Sequence, residues 1–294
     1  MKTYSNYTQM SKERFNAWTK KYEKVFPEYE NHPREDYHLT STKYPILVVA
    51  DGVTLKRNSE GAYPMPSSAY EFAKVFCEKI IEEAERMYDE FSKEKLKELF
   101  LIGNIIAKEF NESQGRTKEL IDYREFDFFA ATTAFVLIKE NTAYWWSLGD
   151  SGITAFDSEG NIKFKSPTAW PDEKEKIATT GNLRLTDTEF NKLMKKLFRN
   201  AVDENGEKTG YGVLTGEENA FLYLNTGSFT VSKEDLILLY TDGYENYISV
   251  PEFLDIFRNW KDTIDVDFNA FIVKKGQENS DLYGREKTLI AVKV

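Results

Sequence analysis

Cysteine is almost absent from this chain. Cys77 is the only one, so no disulfide can brace the fold, and a reducing, cytoplasmic setting is expected. It falls inside the helical pattern YEFAKVFCEKI, where a thiol is expected to be buried filler rather than a nucleophile. Histidine is nearly as scarce. His32 and His38 have no partner at a spacing that builds a metal site, and His38 is expected to pack or to face solvent. Positive charge is in deficit: 39 Lys and Arg stand against 49 Asp and Glu, a net charge of -10, with no dense basic block. Nucleic acid and anionic membranes are therefore excluded as default partners, since both would repel the chain. Long apolar runs are missing, so no segment reads as a membrane span. The opening MKTYSNYTQMSKERF has no apolar stretch of the signal-peptide kind. There is no internal repeat, low-complexity tract or Pro/Ser-rich linker, and residues 1–294 read as a single domain, expected to be monomeric.

What the chain does have is apolar and aromatic material. Hydrophobic residues make up 41% and include 21 Phe and 17 Tyr, enough for a large core and of a kind that covers sheets well. Phe15, Trp18, Tyr22 and Phe26 recur every three to four residues and predict an amphipathic helix, a helical extension over about residues 1–30. REDYHLTSTKYPILVVADGV predicts two strands turning near Lys43-Tyr44-Pro45. Pro66-Ser67 marks a helix start, with Ala69, Phe72, Ala73, Phe76, Ile80 and Ala84 on one face, and KEKLKELFLIGNIIAKEF predicts a second helix. Then the period changes. FFAATTAFVLIKENTAYWWSLGDSGITAFDSEGNIKF reads as consecutive strands, with turns at Glu140-Asn141, Gly149-Asp150 and Ser158-Glu159-Gly160. Residues from about 166 to 216 are charged and irregular, with a helical piece near EFNKLMKKLFRN, and read as a flap-like insertion. FLYLNTGSFTV and DLILLYTDGY predict two more strands, PEFLDIFRNW a helix and KTLIAVKV a closing strand. This order is α+β rather than a strict βαβ alternation.

Two of these strands end alike. ILVVADGV runs into Asp51-Gly52 and LILLYTDGY into Asp242-Gly243. A strand buried on both faces leaves its last residue at the edge of the core, where an unpaired carboxylate is costly and a divalent cation is its strongest partner. A following glycine lets the backbone turn sharply and brings its carbonyl within reach of the same ion, and all-oxygen ligation suits Mg²⁺ or Mn²⁺. Each Asp-Gly taken alone is also a common turn signal. A third strand, AYWWSLGDSG, ends in Gly149-Asp150-Ser151.

With these pieces in order, the chain resembles the metal-dependent PPM-type (type 2C) protein serine/threonine phosphatases. REDYH resembles the early Glu-Asp motif, VVADGV the strand-Asp-Gly motif and PSSAYEFAKVF the helix after it. TTAFVLI with WWSLGDSGI resembles the Thr-Ala strand and Gly-Asp-Ser hairpin, LILLYTDGYEN the second strand-Asp-Gly motif, and EKTLIAVKV the closing strand. The resemblance implies a four-layer αββα sandwich, two packed antiparallel β-sheets flanked by helices. It implies hydrolysis of phosphoserine and phosphothreonine in proteins by a water that two Mg²⁺ or Mn²⁺ ions activate, with a third, weaker metal site. Asp51 would bridge the ions, Gly52 would offer its carbonyl and Asp242 would ligate the second ion. Glu35 and Asp36 would hold metal-bound waters, and Asp150 would serve the third site. The implied partner is a phosphorylated protein substrate.

The chain departs from the family pattern at two points. The metal-binding Asp expected three residues before the Thr of the last strand is Arg285, within SDLYGREKTLI. Either Asp281 or Glu286 replaces it, or that ligand is missing. The arginine that grips the substrate phosphate in the family falls on Asn31, which makes Arg34 the candidate for that role, and the strand that precedes it is expected to be replaced by the helix near Trp18. A haloacid-dehalogenase-type phosphotransferase needs two aspartates as Asp-x-Asp, and Ala50-Asp51-Gly52-Val53-Thr54 supplies one. The altered closing motif leaves one alternative, a catalytically impaired phosphatase-fold module that regulates or binds phosphopeptides.

Overall fold

The unbroken apolar run before Asp51 follows from where its strand lies. Ile46, Val48 and Ala50 of one strand (β3, Ile46–Gly52) face a core shared with two long helices, while Leu47 and Val49 face a second sheet. Both faces are buried, so the strand has no polar alternation. The computed structural model describes residues 1–21, 32–53, 66–123, 126–167 and 187–294. Tyr22, Phe26, Asn31 and residues 168–186 of the expected flap lie outside them, as does the side chain of Trp18.

Two five-stranded sheets, antiparallel throughout, pack face to face. One contains β2 (Asp36–Thr40), β3, β4 (Ala131–Lys139), β5 (Thr142–Leu148) and β8 (Asn225–Thr230), in that order. The other runs β1 (Lys2–Thr8), β10 (Lys287–Lys293), β9 (Leu236–Tyr240), β6 (Gly152–Phe156) and β7 (Ile162–Lys165). Between them lies a core of Leu47, Val49, Val136, Ile237, Leu239 and Ile290 with their neighbours. Helices α2 (Ser68–Met87) and α3 (Lys93–Ser113) cover the first sheet with the face read from the sequence, Phe72, Ala73, Phe76, Ile80 and Ala84. The second sheet is covered by α5 (Pro251–Arg258) and α6 (Ile264–Glu278) through Phe253, Phe257, Phe268 and Ile272. The result is four layers, αββα, and each buried aliphatic or aromatic side chain contributes about 1.5–3 kcal/mol. Ser67 fixes the start of α2: its hydroxyl accepts from the Tyr70 amide at 3.1 Å and donates to the Arg34 carbonyl, tying the helix to the chain before β2.

Three elements differ from the expectation. The first residues are not wholly helical: Lys2–Thr8 is an edge strand paired to β10 from Lys2↔Lys293 to Thr8↔Lys287, so the strand ahead of the Glu-Asp motif is present, and the helix (α1) covers only Lys12–Lys21. FLYLNTGSFTV divides into a 3-10 turn over Glu218–Tyr223 and the strand β8. The chain after PEFLDIFRNW adds α6 and the short α7 (Ser280–Tyr283). Within the expected flap, the helical piece is α4 (Asp187–Phe198). The residues after it are tied down: Asn200 brackets Val213 with its side-chain amide at 2.9 and 3.0 Å, and Leu214 bridges to Ala131. No helix among the described residues is long and apolar enough to cross a membrane.

Candidate active site

Asp51 ends β3 and Asp36 begins β2, and the antiparallel register sets them opposite each other. The step after Asp51 must be glycine. A Cβ on Gly52 would lie 2.6 Å from the Ala69 carbonyl oxygen and 2.9 Å from that of Glu35, so the start of α2 and the Glu-Asp segment close around it. Asp242 leaves β9 of the other sheet in the same way, and a Cβ on Gly243 would lie 2.1 Å from the Glu286 carbonyl oxygen. The two sheets therefore bring Asp36 and Asp51 to the same end of the sandwich as Asp242. There they line a cleft of about 200 Å³ with Glu35 and Glu286, rimmed by Met10, Arg14 and Arg285. A larger cavity of about 860 Å³ lies elsewhere, beside Arg116 and Arg199; its walls mix cations with carboxylates and lack the buried acid cluster that marks the smaller cleft.

Crowding and burial raise the proton affinity of four of these acids, Glu35, Asp36, Asp51 and Asp242. Burial pushes Asp51 well above the usual carboxylate range, and the charges of Asp36, Asp242, Asp150 and Glu35 push it further. Burial and then Glu286 raise Asp36 in the same way, opposed by the hydrogen bond from Thr241. Glu35 is pushed up to about 8 by burial, with His32 opposing. Asp242 is pushed up to about 6 by burial and Asp150, with Arg285 opposing. An array that resists ionisation until something neutralises it suits a divalent cation, and the oxygen-only donors of Asp51, Asp242 and the Gly52 carbonyl fit Mg²⁺ or Mn²⁺.

Hydrogen bonds hold the acids in place. Thr241 donates to Asp36 Oδ2 at 2.7 Å and accepts from the Thr288 amide at 2.9 Å, which links the two sheets through β9 and β10. Glu286 Oε1 accepts from the amides of Glu35 (2.8 Å) and Asp36 (3.0 Å), while Oε2 meets His32 Nδ1 at 3.3 Å. His32 Nε2 lies 3.8 Å from Glu35 Oε2. Burial opposes the His32 charge, but the hydrogen bond to Glu286 and the charge of Glu35 raise its pKa. Lys287 is also buried here; its Nζ donates to the carbonyls of Tyr283 (2.9 Å) and Arg285 (2.7 Å). Burial brings its pKa down to about 8, against the pull of Asp36, Asp242 and Glu286.

The structure sorts the sequence candidates. Asp51, Gly52, Asp242, Glu35, Asp36 and Glu286 come together. Asp150 lies on the β5–β6 turn after Gly149, which has a positive φ of 78°, and its charge reaches both Asp51 and Asp242. Asp281 does not join them: it sits on α7, 76% exposed, and pairs with Arg14 at 2.5 Å. Glu286 is thus the acid that stands at the closing motif. Arg34 is not a cleft arginine either. Its Nε donates to the Asp36 carbonyl at 2.9 Å, and its guanidinium lies over the rings of Tyr7 (3.9 Å) and Tyr70 (4.9 Å), where cation–π contact holds it. Arg14 and Arg285 occupy the rim instead. Sequence reasoning gave no role to His32, Lys287 or Arg14. The one available signal was His32 three residues before Glu35; its other partner, Glu286, is 254 residues away. Cys77 is fully buried and its thiol is pushed well above the usual range by burial, which excludes it as a nucleophile.

Comparison with known proteins agrees with this arrangement. The sequence profile described as Protein phosphatase 2C matches residues 27–270. No curated protein sequence matches significantly. Among solved structures, the serine/threonine phosphatase PstP/Ppp of Mycobacterium tuberculosis is similar over 100% of this chain and 98% of its own, with 12% identity and a TM-score of 0.55. The PstP catalytic domain solved with two manganese ions is similar over 99% of this chain and 96% of its own, also at 12% identity and a TM-score of 0.55. Stp1 from Staphylococcus aureus is similar over 100% and 95%, at 12% identity and a TM-score of 0.55. The structural likeness carries the fold and the profile carries the kinship: this chain belongs to the protein phosphatase 2C family, the PPM-type serine/threonine phosphatases, and is a hydrolase.

Proposed function

We propose that this enzyme removes phosphate from phosphoserine and phosphothreonine in proteins and depends on Mg²⁺ or Mn²⁺. The observation that carries this reading is the meeting of Asp36 and Asp51 from one sheet with Asp242 from the other in a buried, cation-demanding cleft. Asp51 and the Gly52 carbonyl would hold the metal, with Asp242, Glu35 and Asp36 around it. A bound divalent ion acidifies a coordinated water and neutralises charge on the phosphoryl oxygens. The chain's own contribution is orientation. Thr241 fixes the Asp36 carboxylate, Glu286 fixes the backbone that carries Glu35 and Asp36, and His32 sits between Glu286 and Glu35 to neutralise them. With Cys77 buried inside α2 and no second aspartate placed as Asp-x-Asp beside Asp51, the cleft supplies neither a thiol nor that aspartate pair, which accords with direct attack by water.

The test is phosphate release from a phosphothreonine peptide and from p-nitrophenyl phosphate by the purified chain, with Mn²⁺ and with a chelator. Turnover is expected with Mn²⁺ only. Failure of both substrates at every Mn²⁺ and Mg²⁺ concentration would instead favour a binding module.

Arg14 is the rim cation with the weakest hold on its partner, because Asp281 is largely in water and such exposed pairs are worth little. It is therefore available to a phosphate dianion. Arg14→Ala is expected to lower kcat/KM by about 10–100-fold, mostly through KM, the loss of one charge-assisted bond of about 1.5–3 kcal/mol. An unchanged KM would remove Arg14 from phosphate binding.

A further inference from the structure

The cleft carboxylates differ in what already neutralises them. Arg285 Nη1 lies 2.6 Å from Asp242 Oδ2. Arg14, the other rim guanidinium, is bonded to Asp281, outside the cleft. The contact between Arg285 and Asp242 is built in, even though the Arg285 side chain is 47% exposed. The backbone on either side of it is clamped. Lys287 Nζ donates to the Tyr283 and Arg285 carbonyls, the Ser11 amide donates to the Gly284 carbonyl at 2.8 Å, and Glu286 Oε1 takes the amides of Glu35 and Asp36. With its backbone held between these anchors, Arg285 lines the cleft with its guanidinium on Asp242.

We infer that Arg285 is an internal cation of the site: it takes the Asp242 carboxylate for itself, so the cleft holds one divalent ion, on the Asp51–Gly52 side, rather than a pair. The inference rests on the metal-dependent reading above. A second ion at Asp242 would have either to displace the charge-assisted bond on Oδ2 or to take Oδ1 and sit within a few ångströms of the guanidinium, and either course opposes its binding. The first ion meets no such rival, because Asp51 is surrounded by like charge. A guanidinium has five N–H donors, and Nη1 alone is on Asp242, so Arg285 can neutralise that carboxylate and still offer donors to a phosphoryl oxygen. It would give the site a fixed positive charge where a paired-ion site relies on a second metal.

Mn²⁺ titration of the full chain, read by calorimetry and by electron paramagnetic resonance, tests this without an activity assay. The wild type is expected to bind about one Mn²⁺ per chain, with the spectrum of an isolated ion. Arg285→Asp, which removes the rival and adds a carboxylate, is expected to bind about two, with a spin-coupled spectrum. Two coupled ions in the wild type would overturn the inference and leave the phosphatase reading intact. So would a single ion in a folded Arg285→Asp. No Mn²⁺ bound by the wild type at all would sink the metal reading itself, and this inference with it. If Arg285→Asp fails to fold by circular dichroism, Arg285→Ala decides: loss of the competing charge is expected to tighten Mn²⁺ binding at least about tenfold, and unchanged affinity counts against the inference.

Discussion

Asp51→Asn is expected to lower kcat/KM about a thousandfold, roughly 4 kcal/mol of transition-state stabilisation, while making the metal-free protein more stable. The two effects share one cause. Asp51 is half-buried at the end of β3 among Asp36, Asp242, Asp150 and Glu35, whose charges all oppose its ionisation. An amide keeps the shape and removes one negative charge from that array, which should raise metal-free stability by about 0.5–2 kcal/mol, as in other sites that trade stability for function. The variant should also lose the response to metal. At a Mn²⁺ concentration a hundredfold above its dissociation constant the wild type gains about 2.7 kcal/mol, and Asp51→Asn should gain far less. Thermal melts with and without Mn²⁺, beside phosphate release, read all three. Activity within tenfold of wild type, or an undiminished Mn²⁺ shift, would show that Asp51 is not the principal ligand.

This balance explains which parts of the molecule were legible in the sequence. The site sits where two buried strands end, and such strands write themselves plainly: ILVVA and LILLY have no polar alternation because each has a core on both faces. The Asp-Gly pairs after them are local, and so is the Ser67 cap of α2. Elements defined by distant partners were harder to read. In β1, Tyr4 is the only buried residue, and the strand exists because β10, at the far end of the chain, pairs with it. In α6 the stripe Ile264, Phe268 and Ile272 has helical spacing, but Val266 and Val273, at 69% and 58% exposed, blur it. The rim arginines fall in the same class. Arg34 has the charge a phosphate needs and lies three residues past the position where the family carries its arginine, yet Tyr7, on a strand the sequence did not reveal, takes up its guanidinium. Where Asp281 and Glu286 lie turns on one turn of chain before β10, below the resolution of pattern reading; the amides of Glu35 and Asp36 hold Glu286 in the cleft, and Arg14 holds Asp281 outside it.

Asp127→Asn is expected to cost about 3–5 kcal/mol of stability at neutral pH. Asp127 is 1% exposed and precedes β4, the strand that carries Thr132 opposite Asp51. Its Oδ1 accepts from Arg199 Nη1 at 2.7 Å and its Oδ2 from Lys195 Nζ at 2.8 Å, so one carboxylate fastens the end of α4 and the chain after it to the start of a central strand. An asparagine would turn an amide donor toward one of these cations and leave Arg199, itself 7% exposed, with Glu217 at 3.4 Å as its remaining ion-pair partner among the described residues. The pH dependence has a definite sign. Burial alone would raise the Asp127 pKa, but Arg199 and Lys195 outweigh it and hold the group below its ordinary value. Its contribution is therefore complete above the unfolded-state pKa of about 3.9 and is lost as pH falls through the lower folded-state value. Urea midpoints of wild type and Asp127→Asn should differ widely at pH 7 and converge in strong acid. Asp127→Asn with Arg199→Met should lose less than the two single changes summed, because the pair is one interaction. Additive losses, or a gap that stays constant below pH 3, would mean that the carboxylate carries no charge there and that packing alone joins α4 to the sheet.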